Sequence, residues 1–136
     1  MTIRPSYVYG IVAVLLLMPI VWVLKAKSGA TEASLPPAVK TAQATLRNAP
    51  TAENYDALSF QFYRAGMPER SVAASLEAIR LNSNVALYFN NLCAAYNDLG
   101  NYAQAVIACQ NALRIDPAYQ LARNNLNFAL DHSKKP

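Results

Sequence analysis

Two sets of residues in this chain of 136 carry chemistry. Asparagines gather at Asn90, Asn91 and Asn97 and again at Asn124 and Asn125, so that the Asn-Asn-Leu of positions 90–92 returns at positions 124–126. A primary amide both donates and accepts, so at fixed spacing it can pair with a peptide unit or with a neighbouring helix. Cys93 and Cys109 are the only two cysteines; they offer either a disulfide or a pair of small apolar thiols. Catalytic groupings do not appear. His132, the single histidine, sits near the end of the chain and reads as a solvated terminal residue. No Cys-x-x-Cys, metal-spaced His/Cys set, haem motif or Gly-rich phosphate loop is present. The carboxylates Glu53, Asp56, Glu69, Glu77 and Asp98 are scattered, and Ser71 and Ser75 stand one turn apart without a base. The sequence predicts no enzyme, no cofactor and no metal.

What positions the amides and thiols is helical. From Leu35 onward no alternating strand pattern and no hairpin turn pair occurs, so an all-α fold is expected. Charge there is nine Lys/Arg against seven Asp/Glu, 9 − 7 = +2, with no basic stripe, which argues against nucleic acid as partner. Upstream, the stretch from Tyr7 to Leu24 is uncharged throughout. As a helix it would reach about 27 Å, with Tyr7, Tyr9 and Trp22 near its ends, and it predicts a transmembrane anchor. A cleaved signal ending near Ser28-Gly29-Ala30 is the alternative, although the apolar block exceeds the usual signal core. Residues 26–36, small, polar and closed by Pro36, read as a linker.

Gly66 and Gly100 stand at the same spacing as the two asparagine pairs, and each divides two amphipathic runs. Glycine just past a helix end supplies the left-handed residue that closes it. Tyr55, Leu58, Phe62 and Ala65 precede the first; Phe89, Leu92, Tyr96 and Leu99 precede the second at the same offsets. A helix–turn–helix period of this length marks an array whose units bury their faces against neighbours. The segment 86–119, with Leu92, Tyr96, Gly100, Tyr102, Ala105, Ala112 and Pro117, resembles the tetratricopeptide repeat (TPR) family. The segment 52–85 follows the pattern less closely, departing at Ser71, Ser75 and Ser83, and Cys93 and Cys109 depart in the better unit. The expected organisation is an anchor at 1–25, a linker at 26–36 and a TPR domain at 37–136. That domain comprises a partial helix 37–48, repeats 52–85 and 86–119, and a capping helix 120–133 whose Arg123 and Asn127 replace Phe89 and Cys93 on the outward face.

The resemblance implies that first helices of each unit line a concave groove. Carried over position by position, the groove comprises Glu53, Asp56, Ala57, Phe60, Tyr63 and Arg64, then Leu87, Asn90, Asn91, Ala94, Asn97 and Asp98, then Leu121, Asn124, Asn125 and Phe128. In some members asparagines at the position of Asn91 and Asn125 bind a peptide backbone; elsewhere they bond the neighbouring helix. Arg64 is the one cation in the set, so the clamp for acidic tails is not expected. Cys93 and Cys109 fall on paired helices about the turn at Gly100, at similar height. A bond between them would close a loop of about 17 residues, while two buried free thiols remain the alternative. The expected function is a membrane-anchored TPR adaptor holding a peptide segment of a protein partner. The alternative is an accessory subunit of a membrane complex, held by its transmembrane helix. The location that follows is a single-pass membrane protein with its repeats on the periplasmic side.

Overall fold

Local chemistry starts and stops each helix. The computed structural model describes residues 32–134, and the chain divides into a unit of residues 1–35 and a unit of residues 36–136. Of the first, the described part is a short 3-10 turn, Glu32–Ser34. Six α-helices are described in the second: α1 Pro37–Asn48, α2 Ala52–Arg64, α3 Pro68–Leu81, α4 Ala86–Asp98, α5 Tyr102–Ile115 and α6 Gln120–Ser133. The starts of α2, α4 and α6 recur at one even interval, positions 52, 86 and 120, and those of α3 and α5, positions 68 and 102, keep the same interval.

Thr51 caps α2, its hydroxyl accepting from the Asn54 amide at 3.3 Å. α1 and α3 begin with proline, whose missing N–H costs nothing in a first turn. The turns between paired helices are closed twice in the same way. Gly66 N–H donates to Tyr63 O and Met67 N–H to Phe62 O, at 3.0 and 2.9 Å; Gly100 and Asn101 repeat this with Asn97 and Tyr96. This arrangement needs a left-handed residue, and the two glycines take φ of 68° and 70°.

α2 packs on α3 and α4 on α5; α4 also meets α3, and α6 meets α5 and α4. The helices α2, α4 and α6 touch in succession and form an inner layer, with α1, α3 and α5 outside. Small residues let α5 seat closely on its neighbours: Ala105 and Ala108 on α5 are buried, and Leu92, Cys93 and Ala129 pack into the same core. A second core joins the two repeats through Ala52, Ala78 and Tyr88.

The transmembrane helix expected at residues 7–24 lies outside the described residues. Among the described residues no helix is long and apolar enough to cross a membrane. The longest have 14 residues, about 21 Å at the helical rise, and each carries a polar face. The fold class is corrected to an all-α, TPR-like helical array in which no described helix can cross a membrane. The expectations that depended on the anchor fall with it: attachment to a membrane through residues 7–24, a single-pass location with the repeats on the periplasmic side, the membrane-anchored adaptor, and the accessory subunit held by its transmembrane helix.

Candidate functional site

The repeat brings Asp56, Asn90 and Asn124 to matching places on the inner helices, with Ala57, Asn91 and Asn125 one residue further on. These two positions bond across helices. Asn91 Nδ2 donates to Asp56 Oδ1 at 2.7 Å, and Asn125 Nδ2 donates to Asn90 Oδ1 at 3.0 Å. One rung is thus drawn twice, tying α4 to α2 and α6 to α4. A third link runs from Asn97 Nδ2 to the Asn125 carbonyl at 3.1 Å. The paired asparagines therefore hold inner helices together, and each rung spends an amide hydrogen while leaving the oxygen of the donating amide. Ala57 has the donor place on α2, where no earlier inner helix among the described residues offers an acceptor. Asn124 has the acceptor place on α6, the last inner helix, and takes its bond from Gln120 Nε2 of its own helix at 2.9 Å.

Asp56 is the charged member of these rungs. It is 9% exposed. Burial pushes its carboxyl above the usual range, and the bond from Asn91 only partly offsets that. Tyr88 and Tyr119 share its surroundings. Burial and then the charges of Glu53 and Asp56 raise the Tyr88 phenol; burial and then Asp56 and Asp116 raise that of Tyr119. Glu53 is fully exposed, and its own backbone amide and the Thr51 hydroxyl hold its carboxyl below the usual range. Neither tyrosine stands among the groove residues carried over from the family pattern. Both belong to the next helix or its start, and pairing across units leaves no mark in a linear pattern.

The inner face also exposes apolar side chains. Phe60 and Phe128 are 45% and 46% exposed, and Leu87 and Leu121 are exposed as well. The Arg64 guanidinium lies over the Phe60 ring, 5.9 Å from its centroid, a cation–π contact and not a free clamp. Tyr63 is half-buried beside Asp98, and burial followed by that carboxylate raises its phenol. His132 is not a freely solvated residue: its ring stacks on Phe128 at 4.0 Å between centroids, near Tyr102, and its Nδ1 bonds the Phe128 carbonyl.

Away from the groove, Cys93 on α4 and Cys109 on α5 are joined by a disulfide, with Cα atoms 5.4 Å apart and no exposed surface. The matching places in the first unit, one repeat earlier, are Ser59 and Ser75. Their hydroxyls lie 2.6 Å apart, and Ser59 Oγ also donates to the Ser71 carbonyl at 3.0 Å. This buried serine cluster was legible in the register alone. Ser75, read as a departure from the family pattern, is the hydrogen-bonded counterpart of the bonded Cys109, and Ser59 is that of Cys93.

Among the described residues no group of His, Cys, Asp and Glu could hold a metal ion. No family model matches the chain. Two curated proteins resemble it, both named small glutamine-rich tetratricopeptide repeat-containing protein 2. The one from Mycosarcoma maydis is 34% identical over 79 residues, which is 58% of this chain and 21% of that protein. The one from Saccharomyces cerevisiae is 35% identical over 68 residues, 50% of this chain and 20% of that protein. The chain thus spans about a fifth of the length of the curated relatives it matches. Among solved structures, the second TPR domain of human RPAP3, determined in complex with the HSP70 peptide SGPTIEEVD, superposes with a TM-score of 0.64 at 16% identity, covering 71% of this chain and 79% of that one. The rungs, the two glycine-closed turns and this superposition agree: the chain carries a TPR-like scaffold fold.

Proposed function

We propose that the array is a protein-interaction module that holds a peptide segment of a partner along the inner face of α2, α4 and α6. The carrying observation is that exposed apolar side chains recur there at the repeat spacing. Phe60 and Phe128 occupy the same place two units apart, and Leu87 and Leu121 the same place one unit apart. Exposed apolar residues on the outer helices recur less: Leu81 is matched by the half-buried Ile115. Leu76 is matched by Gln110, and Ile107 by Ala73. A repeated open apolar row flanking fixed polar rungs suits an extended chain, whose side chains alternate while its backbone seeks hydrogen bonds. The groove comprises Asp56, Phe60, Tyr63, Arg64, Asn90, Asn91, Asn97, Asn124, Asn125 and Phe128. The free amide oxygens of Asn91 and Asn125 and the second oxygen of Asp56 are its polar contacts.

The peptide of the solved RPAP3 domain is acidic. The inner face here, with Glu53, Asp56 and Asp98 against Arg64, carries the wrong charge for such a segment. Selection of binders from a random peptide display library on the full-length chain tests the reading. Peptides selected on the parent should lose binding to Phe60→Ser with Phe128→Ser and keep it for Leu76→Ser with Ile107→Ser. Binders indifferent to the inner-face pair, or no enrichment at all, would reject it.

A further inference from the structure

We infer that the segment taken by this groove is cationic: a Lys or Arg of the partner meets the Asp56 carboxylate, in the corner that Asp56 forms with Glu53, Asn91, Tyr88 and Tyr119. This rests on the groove reading above and adds the chemistry of the occupant.

Charge is sorted between the two layers. The inner helices carry Arg64 and Arg123 against Glu53, Asp56, Asp98 and Asp131, 2 − 4 = −2. The outer helices carry Lys40, Arg47, Arg70, Arg80 and Arg114 against Glu69 and Glu77, 5 − 2 = +3. A chain with a net charge of +4 therefore turns an anionic face toward its own groove. A face lined mostly by one sign of charge favours a guest of the opposite sign.

Hydrogen-bond capacity is sorted in the same direction. The rungs draw on the amide hydrogens of Asn91, Asn125 and Asn97 and leave oxygens. Asn97 is itself 9% exposed, and its Oδ1 is buried with no partner. At Asp56, one oxygen accepts from Asn91 and no cation among the described residues neutralises the other. An inner face with spare acceptors and a nearly buried, uncompensated carboxylate is completed by a donor that carries charge. Guanidinium and ammonium groups meet that description. The half-buried Tyr119 near Asp56 suits the same guest, since a cation flanked by a carboxylate and an aromatic ring is held by both. The elevated Asp56 carboxyl agrees with a site that lacks its counter-ion.

The test uses the full-length chain and three blocked nonapeptide libraries, randomised except for a central residue fixed as Arg, Ala or Glu. Binding is read by fluorescence polarisation at low and physiological salt. The Arg library should bind about tenfold more tightly than the Glu library, with the difference shrinking as salt rises. Asp56→Asn, which keeps an acceptor for Asn91, should remove most of that preference, and Glu53→Gln on the exposed first turn should remove a smaller part. Equal binding of all three libraries, or a preference for Glu, would overturn the cationic assignment. If that binding were still lost in Phe60→Ser with Phe128→Ser, the groove reading would survive. A preference for Arg that Asp56→Asn and Glu53→Gln both leave intact would also overturn the assignment. Binding to none of the libraries would remove the groove reading and this inference together.

Discussion

Two single positions show how much a residue's environment decides. At Gly100 a built Cβ would meet no atom within 4 Å, so space is not what keeps a side chain out. The constraint is the backbone, held at φ 70° by the bonds that close α4. A substitution there costs whatever its side chain adds to a left-handed conformation, on the order of 1–3 kcal/mol for an ordinary residue. Gly100→Val should lower the melting temperature most, Gly100→Ala less, and Gly100→Asn least, because asparagine tolerates that region. An equal loss for all three would point to crowding. At Asp56 the environment acts on charge. The folded carboxyl titrates above its ordinary value, so the folded chain binds the proton more tightly than the unfolded one. Stability contributed by this group therefore falls as pH rises from the unfolded to the folded value, and returns on acidification through the same interval. Asp56→Asn should be at least as stable as the parent at neutral pH, and thermal melts should show the gap closing as pH falls. A parent whose advantage over the variant grew with pH would contradict this.

Pairs of helices are joined by different chemistry in the two units, although the places are the same. α4 and α5 are linked by Cys93–Cys109, while α2 and α3 use Ser59 and Ser75. The repeat sets both pairs of helices at similar separation, so each chemistry should work in the other unit. Closing a loop of about 17 residues restricts the unfolded chain by about 3 kcal/mol. Cys93→Ser with Cys109→Ser should lose about that much and keep the fold, because the first unit shows two hydroxyls bonded in this place. Ser59→Cys with Ser75→Cys should form a second disulfide on oxidation. Counting thiols in denatured protein before and after reduction checks it: four thiols appearing only after reduction is the expected result, and two free thiols beforehand would mean that α2 and α3 stand differently. Their bonded state in the parent is checked by the same count.

At the scale of the molecule, the array was legible because its period writes the same helix ends twice, with Gly66 and Gly100 as markers. The groove was legible only as a set of positions. Its working pairs, Asn91 with Asp56 and Asn125 with Asn90, join neighbouring repeat places across helices, and a linear pattern gives the period but not the contact. The apolar stretch at residues 7–24, which hydropathy alone reads as an anchor, lies outside the described residues, and no described helix is long and apolar enough to cross a membrane. Stacked units also need an end. α6 buries Ala122 and Ala129 against the array and turns Arg123 and Asn127 outward, at the places that hold Phe89 and the buried Cys93 in α4. In an array stabilised by nearest neighbours, such a polar outer face is expected to keep α6 from stacking on another unit. Arg123→Phe with Asn127→Leu would restore an apolar stacking stripe beside the already exposed Leu130. A second copy could then cover that stripe, since a large exposed apolar patch favours association. The double variant should therefore sediment as larger species with increasing concentration while the parent does not, and its helical content should be unchanged. Unchanged sedimentation at every concentration would mean that the polar residues do not protect this end, and that the shape of α6 alone closes the array.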